Sequence, residues 1–600
     1  MLDQLTAKET LERARLALLS ERNSKGHWEG ELSTSALSTA TALVALGCAE
    51  EKRHASQISA AAIWLVDHRN EDGGWGDTVK SFSNISTTLL CWSALTRFGG
   101  AQARAAVADA REWIRDYVGS LNPELIAETV KARYGKDRTF SVPILMMCAI
   151  CGTLGSRGWH HVLPLPFQLA AFPRKWFGMM QLPVVSYALP ALIAIGYARY
   201  RKGGREGRNH FLWPRLSALL ESIQPQSGGF LEAAPLTSFV TMALVEAGEK
   251  NHPVVLKGVE FLLRTVRSDG SWPIDTNLAT WATTLSVKAL IGDGKIAADE
   301  TQEGRVSEPT PLDQREPLLE WLLGQQYREV HPFTESPPGG WAWTDLSGGV
   351  PDADDTPGAL LALRLLDGGE GDPEIICAAS AGAEWLLGLQ NRDGGIPTFC
   401  RGWGALPFDR SSPDLTAHVL RAWRAWYPWL SVAMRARIDE ATEKGLRYLR
   451  REQRSDGSWA PLWFGNQHRF TDEENPTYGT AMVVRALEDL GRDDLATKGV
   501  DWLCRQQNSD GGWGSLADST PSTIEETALA VSALAFRPEA REAVERGRCW
   551  LVEKTEGGNR FESAPIGFYF ARLWYFERIY PIAWTVEALT RAESGRSESR

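Results

Sequence analysis

The sequence predicts an all-α fold of stacked helical hairpins, and three observations carry that expectation. Asp-Gly turns recur at Asp72-Gly73, Asp269-Gly270, Asp393-Gly394, Asp456-Gly457 and Asp510-Gly511. The phrase Gln-x-x-Asp-Gly-x-Trp is complete at Gln453 to Trp459 and at Gln507 to Trp513. Ser268 to Trp272 and Arg69 to Trp75 keep the turn and its Trp, while Gln390 to Gly394 keeps the Gln and loses the Trp. Weaker relatives lie at Asn23 to Trp28, Gln224 to Phe230 and Gln325 to Trp341. Finally, the last two Asp-Gly intervals are 63 and 54 residues, room for two helices and their connections. That is the period of a helical repeat rather than of a propeller blade.

Between the turns, Leu415–Trp426 and Ala441–Leu449 both carry apolar residues at three-to-four spacing, the pattern of amphipathic helices. Gln and Trp at a fixed offset around an Asp-Gly turn read as a structural staple, the amide bonding backbone at a helix start and the indole stacking on it. A chain of 600 residues exceeds what one core usually holds, so two domains are expected.

Composition narrows the function. A formal charge of -11 and a pI near 5.6, with no basic stripe, exclude a nucleic-acid footprint. The 8 cysteines are neither dense nor regular enough for a disulfide scaffold, which fits a reducing cytoplasm. Cys148 and Cys151 lie in the apolar run Val142 to Leu154 without a second pair, so they read as buried thiols rather than zinc ligands. The first residues lack the apolar core of a signal peptide. The most apolar stretch, Leu182 to Gly196, is short for a bilayer and contains Pro183 and Pro190. Just before it, Phe172 to Met180 mixes basic and aromatic residues, which suits either an interfacial anchor or a buried hairpin between domains.

The most unusual polar sequence is Pro351-Asp352-Ala353-Asp354-Asp355-Thr356-Pro357, followed by an apolar helical pattern. Pro357 suits a first helical turn and Asp355 or Thr356 its cap, so three carboxylates gather at a helix start. They have three uses: capping, a divalent metal site, or an acid that shares protons. The calcium-loop spacing is missing and no second ligand motif accompanies the cluster, which puts metal last.

Here the chain resembles the squalene-hopene cyclase family, part of the class II terpene cyclases. Asp352 to Asp355 matches that family's DxDD motif and the Gln-Trp phrases match its QW repeats, over about Asn23 to Tyr580. Asp414-Leu-Thr-Ala-His418 is similar to its Asp-x-Thr-Ala-His segment, and Gly339-Gly-Trp-Ala-Trp343 to the aromatic segment before its acids. The resemblance implies two α/α barrels, one of residues 15–300 and one of 1–14 with 301–600. It implies an acid at the top of a cavity between them, an apolar channel through 172–197 facing the cytoplasmic side of a membrane, no cofactor or metal, and a possible homodimer.

By that resemblance Asp354 donates a proton to the terminal alkene of a hydrophobic isoprenoid, Asp352 and Asp355 are its partners, and His418, backed by Asp414, hydrogen-bonds the acid. The carbocation so formed needs a dry aromatic cavity, for which the resemblance offers Trp281, Trp343, Phe399, Trp463 and Tyr478, with Phe568 and Tyr575 at the far end. Three departures bear on the product. Ile396-Pro397 replaces a repeat Trp-Gly, Arg572 stands near an expected aromatic, and Ser33 to Ala40 lacks an acidic residue. Conversion of squalene to hopene or a related polycycle is the leading expectation. Cyclisation of a diterpenoid, tetraprenyl or meroterpenoid substrate, and a noncatalytic α/α-repeat binding protein, are the alternatives.

Overall fold

The computed structural model describes residues 4–135, 139–173, 176, 188–203, 210–292, 315–368, 371–402, 408–568 and 572–598. Helices dominate, and among the described residues the strands form three short antiparallel pairs. The helices form two α/α barrels, as the resemblance implied.

In the second barrel, six inner helices close a ring in the order Ala279–Ile291, Asp355–Asp367, Pro413–Trp426, Pro476–Asp489, Ile524–Leu534 and Ile579–Glu598, the last packing back on the first. Their outer partners include Arg315–Gly324, Pro373–Leu389, Val432–Glu452, Asp493–Arg505, Arg541–Lys554 and the N-terminal helix Gln4–Ser20. In the first barrel, Ala36–Glu50 packs between Ile85–Phe98 and Ala234–Glu246, and Ser141–Cys151 and Leu189–Lys202 complete the ring. Inner and outer helices differ as their environments require. Ile524–Leu534 is buried at every position, whereas Asp493–Arg505 buries one apolar stripe and exposes the rest.

The expected boundaries shift. Helix Ala279–Ile291 falls in the range 15–300 assigned to the first barrel, but it packs on Asp355–Asp367 and Ile579–Glu598 in the second. Helix Gln4–Ser20 joins the second barrel as a whole, not only to residue 14. The reason is a crossover of turns. The backbone N–H of Trp28 donates to Thr283 Oγ1 of the second barrel, while that of Trp272 donates to Thr39 Oγ1 of the first.

The staple expected from Gln and Trp exists, with different contacts. Each repeat indole donates Nε1–H to a Leu carbonyl at the end of the preceding outer helix: Trp75 to Leu65 at 2.8 Å, Trp459 to Leu449 at 2.8 Å, Trp513 to Leu503 at 2.8 Å. The Gln507 amide bridges the Gly511 carbonyl at 2.7 Å and the Ala543 carbonyl of the next outer helix at 2.9 Å. The turn itself is closed by Asp510 Oδ1, which accepts from the Gly512 amide, and by Gly511 at φ 94°, a left-handed backbone that favours glycine. At the degenerate repeat, Ile396 takes the Trp position and its N–H still bonds Thr416 Oγ1 at 2.9 Å.

Of the apolar segment 172–197, residues 174–175 and 177–187 lie outside the described residues. Leu189–Lys202 is a ring helix of the first barrel, and among the described residues no helix is long and apolar enough to cross a membrane.

Candidate active site

Between the barrels lies a cavity of about 360 Å³ whose wall is overwhelmingly apolar. Its main polar feature is the start of helix Asp355–Asp367. Asp354 occupies the N-cap position with helical dihedrals, φ -90° and ψ -49°, and its side chain makes no capping bond. The cap comes from Asp352, not from Asp355 or Thr356 as the sequence suggested. Asp352 Oδ1 accepts from the amides of Asp354 at 2.9 Å and Asp355 at 2.8 Å. Thr356 instead accepts the Trp341 amide at 2.9 Å, tying the acid helix to a repeat turn.

This division of labour frees the middle carboxyl. Asp352 and Asp355 are buried at 2% and 3% exposure, while Asp354 keeps part of its surface on the cavity. Burial pushes Asp354 well above the ordinary carboxylate range, and the nearby carboxyls of Asp352 and Asp414 push it further. Asp355 is raised by burial and by both neighbouring carboxyls. Asp352 is raised by burial against the opposing pull of two backbone N–H donors. The helix terminus favours carboxylate, but its amides are spent on Asp352, and desolvation wins at Asp354.

Lys288, on the neighbouring inner helix, is the charge that works in the other direction. It lowers both Asp354 and Asp355, and its Nζ stands 5.8 Å from the Trp281 ring centroid. Asp414 accepts from Ser412 Oγ, and burial holds it up at about 6. His418 is 1% exposed and lies against the acid helix, where a Cβ on Gly358 would stand 3.7 Å from its Cε1; its ring meets Trp281 edge-on at 6.4 Å.

Trp281, Trp343, Phe399, Trp463 and Tyr575 all line the cavity. Phe399 stands edge-on between Trp343 and Trp463, both at 6.4 Å. Tyr575 is held by its hydroxyl contact with Tyr580 at 2.8 Å. Tyr478 is set back from the wall behind Phe464, 4.3 Å away between centroids, and lines a smaller space with Lys288 and Arg485. The Phe568 side chain lies outside the described residues. Arg572 turns away from the cavity to the Arg133 carbonyl and Glu473.

Sequence reasoning missed Phe140, Phe239, Phe408, Phe464, Tyr580 and Asp275 on the wall. Phe140 and Phe239 sit on first-barrel elements without a local motif, so only the docking of the two barrels singles them out. Among the described lining residues there is no Lys, Arg or His.

The sequence matches the squalene-hopene cyclase C-terminal domain over residues 279–594 and the N-terminal domain over residues 11–148. It is 29% identical to a terpene cyclase-glycosyl transferase fusion protein of Humicola fuscoatra, over 95% of this chain and 48% of that protein, so it spans about half that relative's length. It is 25% identical to a probable squalene–hopene cyclase of Sinorhizobium fredii, over 97% of this chain and 96% of that protein. The fold is shared with the ent-copalyl diphosphate synthase of Streptomyces platensis at a TM-score of 0.57 and 19% identity, covering 98% of this chain and 100% of that one.

Proposed function

The chain belongs to the squalene-hopene cyclase family of class II terpene cyclases, and from that premise we propose that it cyclises squalene to a polycyclic triterpene by protonation at Asp354. The observation that carries the reading is a carboxyl raised well above the ordinary carboxylate range by burial and lining an apolar, aromatic cavity. In the proposed step the π electrons of the terminal alkene form a C–H bond with the Asp354 proton. The O–H electron pair stays on Asp354 as carboxylate, and a tertiary carbocation remains. Each later alkene then attacks the cation to form a ring.

The parts have distinct tasks. Asp352 locks the helix start so that Asp354 faces the alkene. The Lys288 charge, which lowers Asp354, stabilises the carboxylate left behind, and His418 packs against the acid helix beside Gly358. Trp281, Trp343, Phe399 and Trp463 present aryl faces, each worth roughly 0.5 to 2 kcal/mol to a passing cation. None offers the lone pair that traps it. An uncharged substrate fits this wall better than an isoprenoid diphosphate, because a diphosphate finds no cation among the described lining residues.

The same proposal includes contact with the cytoplasmic face of a membrane. Support comes from exposed Leu169, Phe172, Trp176 and Phe211 in the part of the first barrel that flanks the apolar segment. The test is incubation of detergent-solubilised protein with squalene in the presence of chelator, beside Asp354→Asn, with products read by gas chromatography and mass spectrometry. Cyclic triterpenes from the wild type alone support the reading. Unchanged squalene from folded wild type overturns the substrate assignment.

A further inference from the structure

Asp275 is a second acid on the cavity wall, and the proposed protonation does not use it. It follows the repeat Trp272 and is held by a bridge to Ala233, on the first barrel's share of the wall beside Leu231, Phe239 and Leu278. It is 7% exposed. One carboxyl oxygen accepts the Thr276 amide at 2.8 Å. The other polar group beside it is the Trp343 indole N–H, which interacts with the Asp275 carboxyl but closes no full hydrogen bond within the described residues.

Glu232, its neighbour, shows the contrast. That carboxylate accepts Ser227 Oγ at 2.6 Å and the Gly348 amide at 2.7 Å, and it is turned off the cavity. Burial together with Glu232 pushes Asp275 well above the carboxylate range. A neutral carboxyl in an apolar wall, one oxygen short of partners, costs stability unless something bonds it. A hydrocarbon cannot, and an anion finds no cation among the described lining residues. What fits is one uncharged oxygen able to accept from the acid or the indole.

We propose that Asp275 and Trp343 form a polar notch that binds a single uncharged oxygen, belonging either to a hydroxyl or carbonyl on the isoprenoid or to a water that adds to the last cation. This rests on the class II cyclase reading; the water source keeps squalene as substrate, and the isoprenoid-oxygen source replaces it with an oxygenated isoprenoid. In the water case the oxygen lone pair forms the C–O bond to the cation, and the surplus proton passes to bulk solvent.

Two arms separate the sources. In the first, a saturated isoprenoid alcohol and the alkane of the same carbon count compete for the detergent-solubilised protein, so that the ratio of their affinities, compared between variants, cancels partitioning. If the substrate carries the oxygen, wild type prefers the alcohol by about tenfold or more, Asp275→Asn keeps the preference, and Asp275→Leu loses it. Trp343→Phe, which keeps the ring and removes the N–H, weakens it and serves if the Leu variant fails to fold. In the second arm, squalene is turned over in oxygen-18 water. If the oxygen is water, the labelled alcohol product falls at least about fivefold relative to alkene products in Asp275→Leu. Alcohol preference and alcohol-to-alkene ratio both unchanged in the variants overturn the notch. Absence of turnover by wild type counts against the cyclase reading instead, and the binding arm, which needs no chemistry, then decides alone.

Discussion

Trp513 and Trp343 are the same residue put to opposite uses. Trp513 is fully buried, donates its N–H to a helix-end carbonyl, and gives its amide to Thr527 Oγ1 at 2.9 Å. Trp28, Trp75, Trp272, Trp341 and Trp459 repeat that pattern, each with a Leu carbonyl as acceptor. Trp343, Trp281 and Trp463 instead turn part of a face to the cavity. The contrast within Trp341-Ala342-Trp343 is sharpest: two residues apart, one indole staples a turn and the other lines the site. Satisfying every polar group fixes a repeat, whereas a cation-handling wall needs open π faces and few lone pairs. Tryptophan abundance is therefore no measure of catalytic design; position relative to the turn is.

Variants that attack either side of this contrast have separable effects. Asp354→Asn removes the only proposed proton source, and turnover falls by about a thousandfold or more. Its thermal melt holds, because the Asp354 side chain makes no capping bond that the substitution would break. Trp513→Ala leaves a large void, costs about 3 to 5 kcal/mol in urea unfolding, and leaves the product pattern of the folded fraction unchanged. Phe399→Ala does the reverse: stability changes less, the rate drops roughly 2- to 30-fold as one aryl face is lost, and incompletely cyclised products accumulate. A staple variant that alters product pattern, or a cavity variant that alters only stability, breaks the distinction.

Smaller effects come from pH. With Asp354 as the proposed acid and its pKa raised by burial, activity is expected to decline as pH rises through that elevated pKa. Asp414 titrates at about 6 in the fold against 3.8 in the unfolded chain. Its raised value means that its contribution to stability is complete below the unfolded value and is lost as pH rises through about 6. Asp414→Asn flattens the change in melting temperature across that window; an unchanged slope contradicts the assignment.

The repeat was legible because its signals are local: Asp-Gly turns with positive φ at Gly457 and Gly511, and a Gln and Trp at fixed offsets. Even the loss of Trp at Ile396 left Thr416 in place to accept the backbone N–H. The acid helix was legible for the same reason, although the cap turned out to be Asp352, since only coordinates reveal which of three adjacent carboxyls bends back to the amides. Whether Tyr478 faces the cavity, and that Phe140, Phe239 and Asp275 reach it, depends on how two barrels dock. The barrel boundary was misjudged likewise, because Ala279–Ile291 looks like any inner helix until its neighbours are known.

The most direct test of protonation at Asp354 is turnover of squalene in deuterium oxide, with deuterium located in the product by NMR. The account predicts one deuterium on the first-ring methylene carbon next to the geminal-dimethyl carbon, delivered by wild type and absent with Asp354→Asn. Cyclised product without deuterium at that position, or equal labelling by the Asn variant, contradicts it.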